Sequence, residues 1–195
     1  MSFKMDKKQI KALGKWFFKY RDYTPIPLVL LLLSYSAPTA FSATLGLLTI
    51  LLGEFVRIYS VCFIGSISRT RKDRVGGKLV TEGLFGVVRN PLYVGNFFIV
   101  MGFAIYSAQL WLVMLTAGLF ALQYHFIVQY EEDLLKTQFG AEYTAYQEEV
   151  PAWIPKKLPG RQNLPAPTGL DKALLSEKRT LTSIGVLIFL LSFFS

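Results

Sequence analysis

Arg89, Asn90, Pro91, Tyr93 and Gly95 stand close together in GLFGVVRNPLYVG, from Gly83 to Gly95, and Glu131 and Glu132 open EEDLLKTQFGAEYTAYQEEVPAWIP, from Glu131 to Pro155. An acidic pair set opposite an Arg/Asn pair could grip a zwitterion, with carboxylates on its ammonium and the guanidinium on its carboxylate. Pro91 is suited to open a helix, and the free amides at that helix start, with Arg89 just before it, favour an anionic group. An apolar hairpin separates the two stretches, so a water-borne cofactor could meet a membrane-dissolved substrate where they converge.

The hairpin brings them together by length alone. At 1.5 Å per residue, Pro91 to Tyr106 climbs about 24 Å and Leu110 to Glu131 descends about 32 Å, which returns Glu131 to the level of Pro91 or slightly beyond. Glu131, Glu132 and Asp133 also suit a solvated membrane border, and the stripe Leu134, Leu135, Phe139, Tyr143 and Tyr146 fits a helix folded onto that rim, mostly as packing.

Composition sets the class. Of 195 residues, 52% are hydrophobic and 17% charged, with a mean hydropathy of +0.39, which excludes an ordinary soluble domain and predicts an all-α, polytopic integral membrane bundle. Five apolar segments are expected, Pro25 to Phe41, Ala43 to Ile64, Pro91 to Tyr106, Leu110 to Val128 and Leu181 to Phe194. Several are shorter than the roughly 20 residues of a full crossing, so short, tilted or partly inserted helices are anticipated. The expected organisation is an amphipathic interfacial helix over 1–22, a membrane core over 23–155, and a Pro-rich linker with a C-terminal apolar helix over 156–195. No cleavable signal is expected, because the first apolar run begins only after Arg21.

Lys4, Lys7, Lys8, Lys11, Lys15, Lys19 and Arg21 precede the first run, and Arg69, Arg71, Lys72, Arg74, Lys78 and Arg89 lie between the second and third. Short basic loops stay on the cytoplasmic side, so both polar stretches and the N-terminus are expected there. The formal charge of +8 fits topology and anionic lipid head groups, and nucleic acid is not expected as a partner. From Met5 to Tyr20, Ile10, Leu13, Trp16 and Phe17 recur at helical spacing against lysines, the pattern of a helix lying on the membrane surface. Gly76, Gly77, Gly83 and Gly86 punctuate the cytoplasmic loop, which needs a ligand or close packing to be ordered. The lone Cys62 sits in an apolar run and suits packing, not an internal disulfide or a multi-cysteine zinc site.

With these residues in place, the chain resembles the membrane-embedded methyltransferases that include isoprenylcysteine carboxyl methyltransferase and phospholipid N-methyltransferase. That family's pattern, G-P-Y-R-x-V-R-H-P-x-Y-x-G, is matched by Gly83, Val88, Arg89, Pro91, Tyr93 and Gly95. Its second part is matched by Glu131, Glu132, Leu135, Phe139, Gly140, Tyr143, Tyr146, Val150, Pro151, Ile154 and Pro155. The resemblance runs from about Gly53 to Pro155. It implies S-adenosylmethionine as cofactor, held by Arg89, Asn90, Pro91, Tyr93, Gly95, Glu131 and Glu132, with a lipid-facing opening for the acceptor and no metal. Asn90 stands where histidine is usual and Gly86 where arginine is usual; asparagine hydrogen-bonds but cannot titrate.

Methyl transfer from a sulfonium is an in-line displacement, served mainly by alignment and a dry cavity. A carboxylate acceptor is already ionised near neutral pH, whereas an ammonium must first lose a proton. His125 shares a helix face with positions 129 and 132 and is a candidate base; a histidine hydrogen-bonded between helices is the alternative. Glu54 and Arg57, one turn apart in an apolar run, either form a mutual salt bridge or direct Arg57 at the acceptor's anionic group. Isoprenylcysteine-type carboxyl O-methylation is the leading expectation by resemblance, with N-methylation of ethanolamine phospholipid and S-methylation of a small thiol as alternatives. A non-catalytic lipid-binding protein on the same fold is the alternative of another class.

Overall fold

The computed structural model describes residues 6–64, 77–157 and 164–194. Among them the chain is all-helical: α1 (Lys7–Tyr20), α2 (Ile26–Tyr35), α3 (Ala40–Ile64), a 3-10 turn at Gly83–Gly86, α4 (Pro91–Tyr106), α5 (Leu110–Phe139), α6 (Ala141–Glu149) and α7 (Leu170–Phe194). Lys4, Met5, the loop cations Arg69, Arg71, Lys72 and Arg74, Gly76 of the glycine-punctuated loop, and Pro159 of the linker lie outside the described residues.

The membrane count differs from the five segments expected. Among the described residues, only α3 and α5 are long and apolar enough to cross a bilayer, and just 28% of each apolar window is buried inside the protein. Their outward sides are rich in exposed Leu, Phe and Met, as expected where lipid is the solvent. Pro25 to Phe41 is not one helix: α2 ends at the extended Ser36, and Thr39 with Ser42 form reciprocal hydrogen bonds of 3.0 and 3.1 Å that start α3. With 10 residues in α2 and 16 in α4, these helices reach about 15 and 24 Å, short of a roughly 30 Å hydrocarbon core. The C-terminal apolar segment is the later part of a 25-residue helix that begins in the polar run from Leu170.

The helix pair that carries the site is set by glycine. Gly46 and Gly53 on α3 meet Gly102 and Gly95 on α4, so close that a Cβ on any of them would stand 2.6 to 2.8 Å from a carbonyl oxygen of the facing helix. Backbone contact of this kind replaces the hydrophobic drive that lipid removes. Ser42 tightens one end by donating to the Tyr106 carbonyl at 3.2 Å. Below, Leu28 and Leu32 of α2, Ile50 of α3, Phe103 of α4, Leu112 of α5 and Leu191 of α7 form one apolar core.

Helix α1 lies against α5. Gly14 abuts the Phe126 carbonyl, Phe17 stacks on Phe126 at 5.9 Å, and Lys11 reaches Asp133 at 2.6 Å. Its Trp16 and Leu13 remain exposed beside the lysines. At the C-terminal end of α5, Gly140 adopts φ +54°, a conformation that other residues rarely accept, and there the chain turns into α6.

A paired substitution tests the glycine contact. Ala normally stabilises a helix by about 0.5–1 kcal/mol over Gly, and Gly118 has open space around it. Gly118→Ala should therefore hold or raise the melting temperature in detergent. Gly102→Ala should lower it, with a cost of about 1–3 kcal/mol from overpacking.

Candidate functional site

Arg89 is the hub of the rim between α4 and α5. Its Nε and Nη2 donate to Glu132 Oε1 at 3.0 and 2.7 Å, and its Nη1 donates to the carbonyls of Val150 (2.5 Å) and Gln147 (3.2 Å). Its backbone amide donates to the Pro151 carbonyl at 2.8 Å. Glu132 is further held by Gln147 Nε2 at 2.9 Å, and Asn90 Nδ2 donates to the Ala152 carbonyl at 3.1 Å. One cation thus ties the foot of α4 to α5, to the end of α6 and to the segment after it. Hydrogen bonds to charged groups are individually the strong ones, and here they converge on partly buried side chains.

Glu131 sits differently. One of its oxygens accepts the Tyr93 hydroxyl, and its side chain lines an open cleft of about 590 Å³, counted out to solvent. Arg89, Asn90 and Glu132 line the same cleft, with Leu79, Phe85, Leu135 and Phe139 as apolar wall and Tyr143 and Tyr146 as aromatic wall. Lys78 contributes a cation that sequence reasoning had assigned only to topology. The cleft therefore carries a carboxylate, a lysine, two amphipathic rings and an apolar surface. That set suits a zwitterion joined to a flat heterocycle.

The 3-10 turn positions this wall. Gly83 has φ +60°, and a Cβ there would meet the Phe63 ring at 2.7 Å, so the turn closes only with glycine. Tyr146 donates to the Phe85 carbonyl of that turn at 2.6 Å. Burial pushes the Tyr143 and Tyr146 phenols well above their ordinary value, and the nearby Glu132 carboxylate pushes in the same direction against Arg89. Both stay neutral hydroxyls.

The remaining expected residues are placed as follows. Pro91 opens α4 as its first residue, behind Asn90. Gly95 lies under Arg57: a Cβ at 95 would stand 2.5 Å from Arg57 Cγ and 2.8 Å from the Gly53 carbonyl. It serves helix contact and is not among the cleft-lining residues. His125 is exposed, shares a 2.7 Å hydrogen bond with Gln129, packs edge-on to Phe126 and does not line the cleft. Glu54 lies 3.8 Å from Arg57 Nε. Arg57 has nearer partners in Glu177, at 3.2 Å from Nε and 2.7 Å from Nη2, and in Asn96. Asn96 in turn donates to Tyr124 at 2.9 Å, and Tyr124 packs on Tyr93 with ring centres 4.7 Å apart. No sequence signal marked Lys78, Asn96, Tyr124 or Glu177 for these positions.

A family model described as phospholipid methyltransferase matches residues 41–142, from α3 into α6, and the chain belongs to that methyltransferase family. It is 32% identical over 122 residues, 56% of this chain and 57% of the relative, to protein-S-isoprenylcysteine O-methyltransferase B of Arabidopsis thaliana. It is also 29% identical over 113 residues, 58% of this chain and 49% of each relative, to two bacterial proteins. These are the nickel-cobalt-cadmium resistance protein NccN of Alcaligenes xylosoxydans xylosoxydans and the cobalt-zinc-cadmium resistance protein CzcN of Cupriavidus metallidurans. The chain spans about half the length of the curated relatives it matches.

The two adjacent glutamates should separate in stability measurements. Glu132→Gln removes the anion that Arg89 grips and should cost about 1–3 kcal/mol, read as a lower melting temperature in detergent; Glu131→Gln should melt near wild type. The phenols give a pH dependence. Because folding raises their proton affinity, their contribution is complete below the ordinary phenol value near 10 and is lost as pH rises above it. Ultraviolet titration of Tyr143→Phe and Tyr146→Phe against wild type should assign to each a late-ionising phenol.

Proposed function

We propose that this chain is a multi-pass membrane methyltransferase that uses S-adenosylmethionine to methylate an amphiphilic acceptor, with an isoprenylcysteine-type carboxylate as the acceptor class. The observation that carries the reading is the cleft at the feet of α4 and α5, where Glu131 and Lys78 share an apolar and aromatic wall beside lipid-facing helices. Those residues fit the cofactor. Glu131 would hold its ammonium and Lys78 its carboxylate, while Phe139, Tyr143 and Leu135 offer a surface for the adenine.

When bound, the cofactor supplies an activated methyl on a sulfonium, whose departing thioether keeps the bonding electron pair. Arg89, held by Glu132 and backbone carbonyls, keeps α4, α5 and the segment after α6 in register around the cleft. His125 lies outside the cleft, so an acceptor that needs no deprotonation near neutral pH suits the arrangement best. The Arabidopsis relative, named as an isoprenylcysteine O-methyltransferase, supports the same choice. Basic residues before α2 and between α3 and α4 favour a cytoplasmic N-terminus and cleft, and the lysines of α1 favour an anionic leaflet.

Protein purified in detergent is expected to bind S-adenosylhomocysteine saturably by calorimetry, and lack of any saturable binding removes the enzyme reading in favour of a non-catalytic lipid-binding protein. Native membranes incubated with methyl-tritiated donor should yield label released as methanol by mild alkali. Alkali-stable label would instead identify an amine or thiol acceptor.

A further inference from the structure

Arg57 is fixed from three directions although it lies on a mostly apolar helix. Its side chain is 13% exposed and crosses α4 over Gly95, the one residue type that leaves room for its Cγ. Glu177 Oε2 accepts from Nε and Nη2, and Asn96 Oδ1 accepts from Nη1. A guanidinium has five N–H donors, and these three bonds leave one hydrogen on each terminal nitrogen. Two such hydrogens form a fork matched to the paired oxygens of a carboxylate or a phosphate.

The fork is not isolated from the cleft. Asn96 links Arg57 to the Tyr124 hydroxyl, Tyr124 packs on Tyr93, and Tyr93 donates to Glu131 in the cleft wall. Glu177, fully buried, comes from α7, beyond the part of the chain that the family model covers. A second polar tie, Tyr59 Oη donating to the Pro165 carbonyl at 2.7 Å, holds the approach to α7 against α3.

We propose that Glu177 is a positioning residue: by holding Nε and Nη2 it turns the outer fork of Arg57 toward the anionic group of the acceptor, so that α7 completes the acceptor site. The inference rests on the methyltransferase reading above. Its ligand chemistry is a doubly oxygenated anion on a lipid tail, from either a prenylated cysteine carboxylate or a phospholipid phosphate. Glu177→Gln keeps the shape of the side chain but loses its charge, so the guanidinium loses its alignment while the cofactor cleft is untouched.

The experiment uses the full chain in mixed micelles with two acceptor probes, N-acetyl-S-farnesylcysteine and phosphatidylethanolamine. For whichever probe wild type methylates, Glu177→Gln should raise the acceptor KM about tenfold with kcat within about threefold, the pattern of lost acceptor binding. S-adenosylhomocysteine affinity should stay at the wild-type value, and Tyr59→Phe, which cuts the tie to the segment before α7, should leave KM unchanged. A purely structural Glu177 would lower the active fraction, and so kcat, at unchanged KM; that result overturns the proposal, as does an equal rise in KM for Tyr59→Phe. If Glu177→Gln does not fold, Glu177→Asp gives the same reading, because the shorter carboxylate keeps its charge but misplaces the fork. Wild type that binds no S-adenosylhomocysteine removes the underlying methyltransferase reading, wild type that binds it but methylates neither probe removes the anionic-lipid acceptor and this proposal with it, and an active wild type with an unmoved KM in the variants removes the Glu177 proposal alone.

Discussion

The pairing of Arg89 with Glu132 is the interaction on which the rim depends. Without it, the foot of α4, the end of α5 and the segment from Val150 to Ala152 would have no common partner, because the Glu132 carboxylate of α5 and the carbonyls of Gln147 and Val150 converge on the same guanidinium. Both charges line the cleft and already hold partners in the protein. Partial burial raises the penalty for separating them, so the pair works as a brace, and the neighbouring Glu131 and Lys78 line the same cleft.

A second constraint supports the first. The α3/α4 contact is backbone to backbone, and its glycines recur every seven residues on both helices, Gly46 and Gly53 facing Gly102 and Gly95. This closeness lets Arg57 lie across Gly95 and reach Asn96, so a packing rule appropriate to lipid also places a cation beside the seam that leads to Tyr93 and Glu131. The family match spans these elements and excludes α1, α2 and α7. The matched core thus holds the cleft except for Tyr143 and Tyr146, while α7 brings a carboxylate to Arg57.

What the sequence made legible was local. The spacing of Arg89, Asn90, Pro91 and Tyr93, and of Glu131, Glu132 and the aromatic stripe, placed both halves of the rim, because a hairpin of known rise brings its ends to one level. Hydropathy overran at Pro25 to Phe41, since apolarity continues through a stretch where Ser36, Pro38 and the Thr39 cap redirect the backbone. It fell short at α7, whose opening DKALLSEKRT is polar yet helical. Glu177 was out of reach because its partner is 120 positions away, and Lys78 because a loop lysine looks the same whether it faces solvent, lipid head groups or a ligand. Gly95 shows the ambiguity of glycine: the same lack of a Cβ admits a cofactor or a neighbouring helix, and only the packing against Arg57 distinguishes them.

The most direct measurement is an experimental structure, in lipid nanodiscs, of the chain saturated with S-adenosylhomocysteine. Density for the ligand is expected between the feet of α4 and α5, its ammonium within hydrogen-bond reach of Glu131 and its carboxylate beside Lys78, with the Arg89 to Glu132 pair intact. Ligand bound elsewhere on the chain, or a cleft that stays empty at saturation, would contradict the assignment.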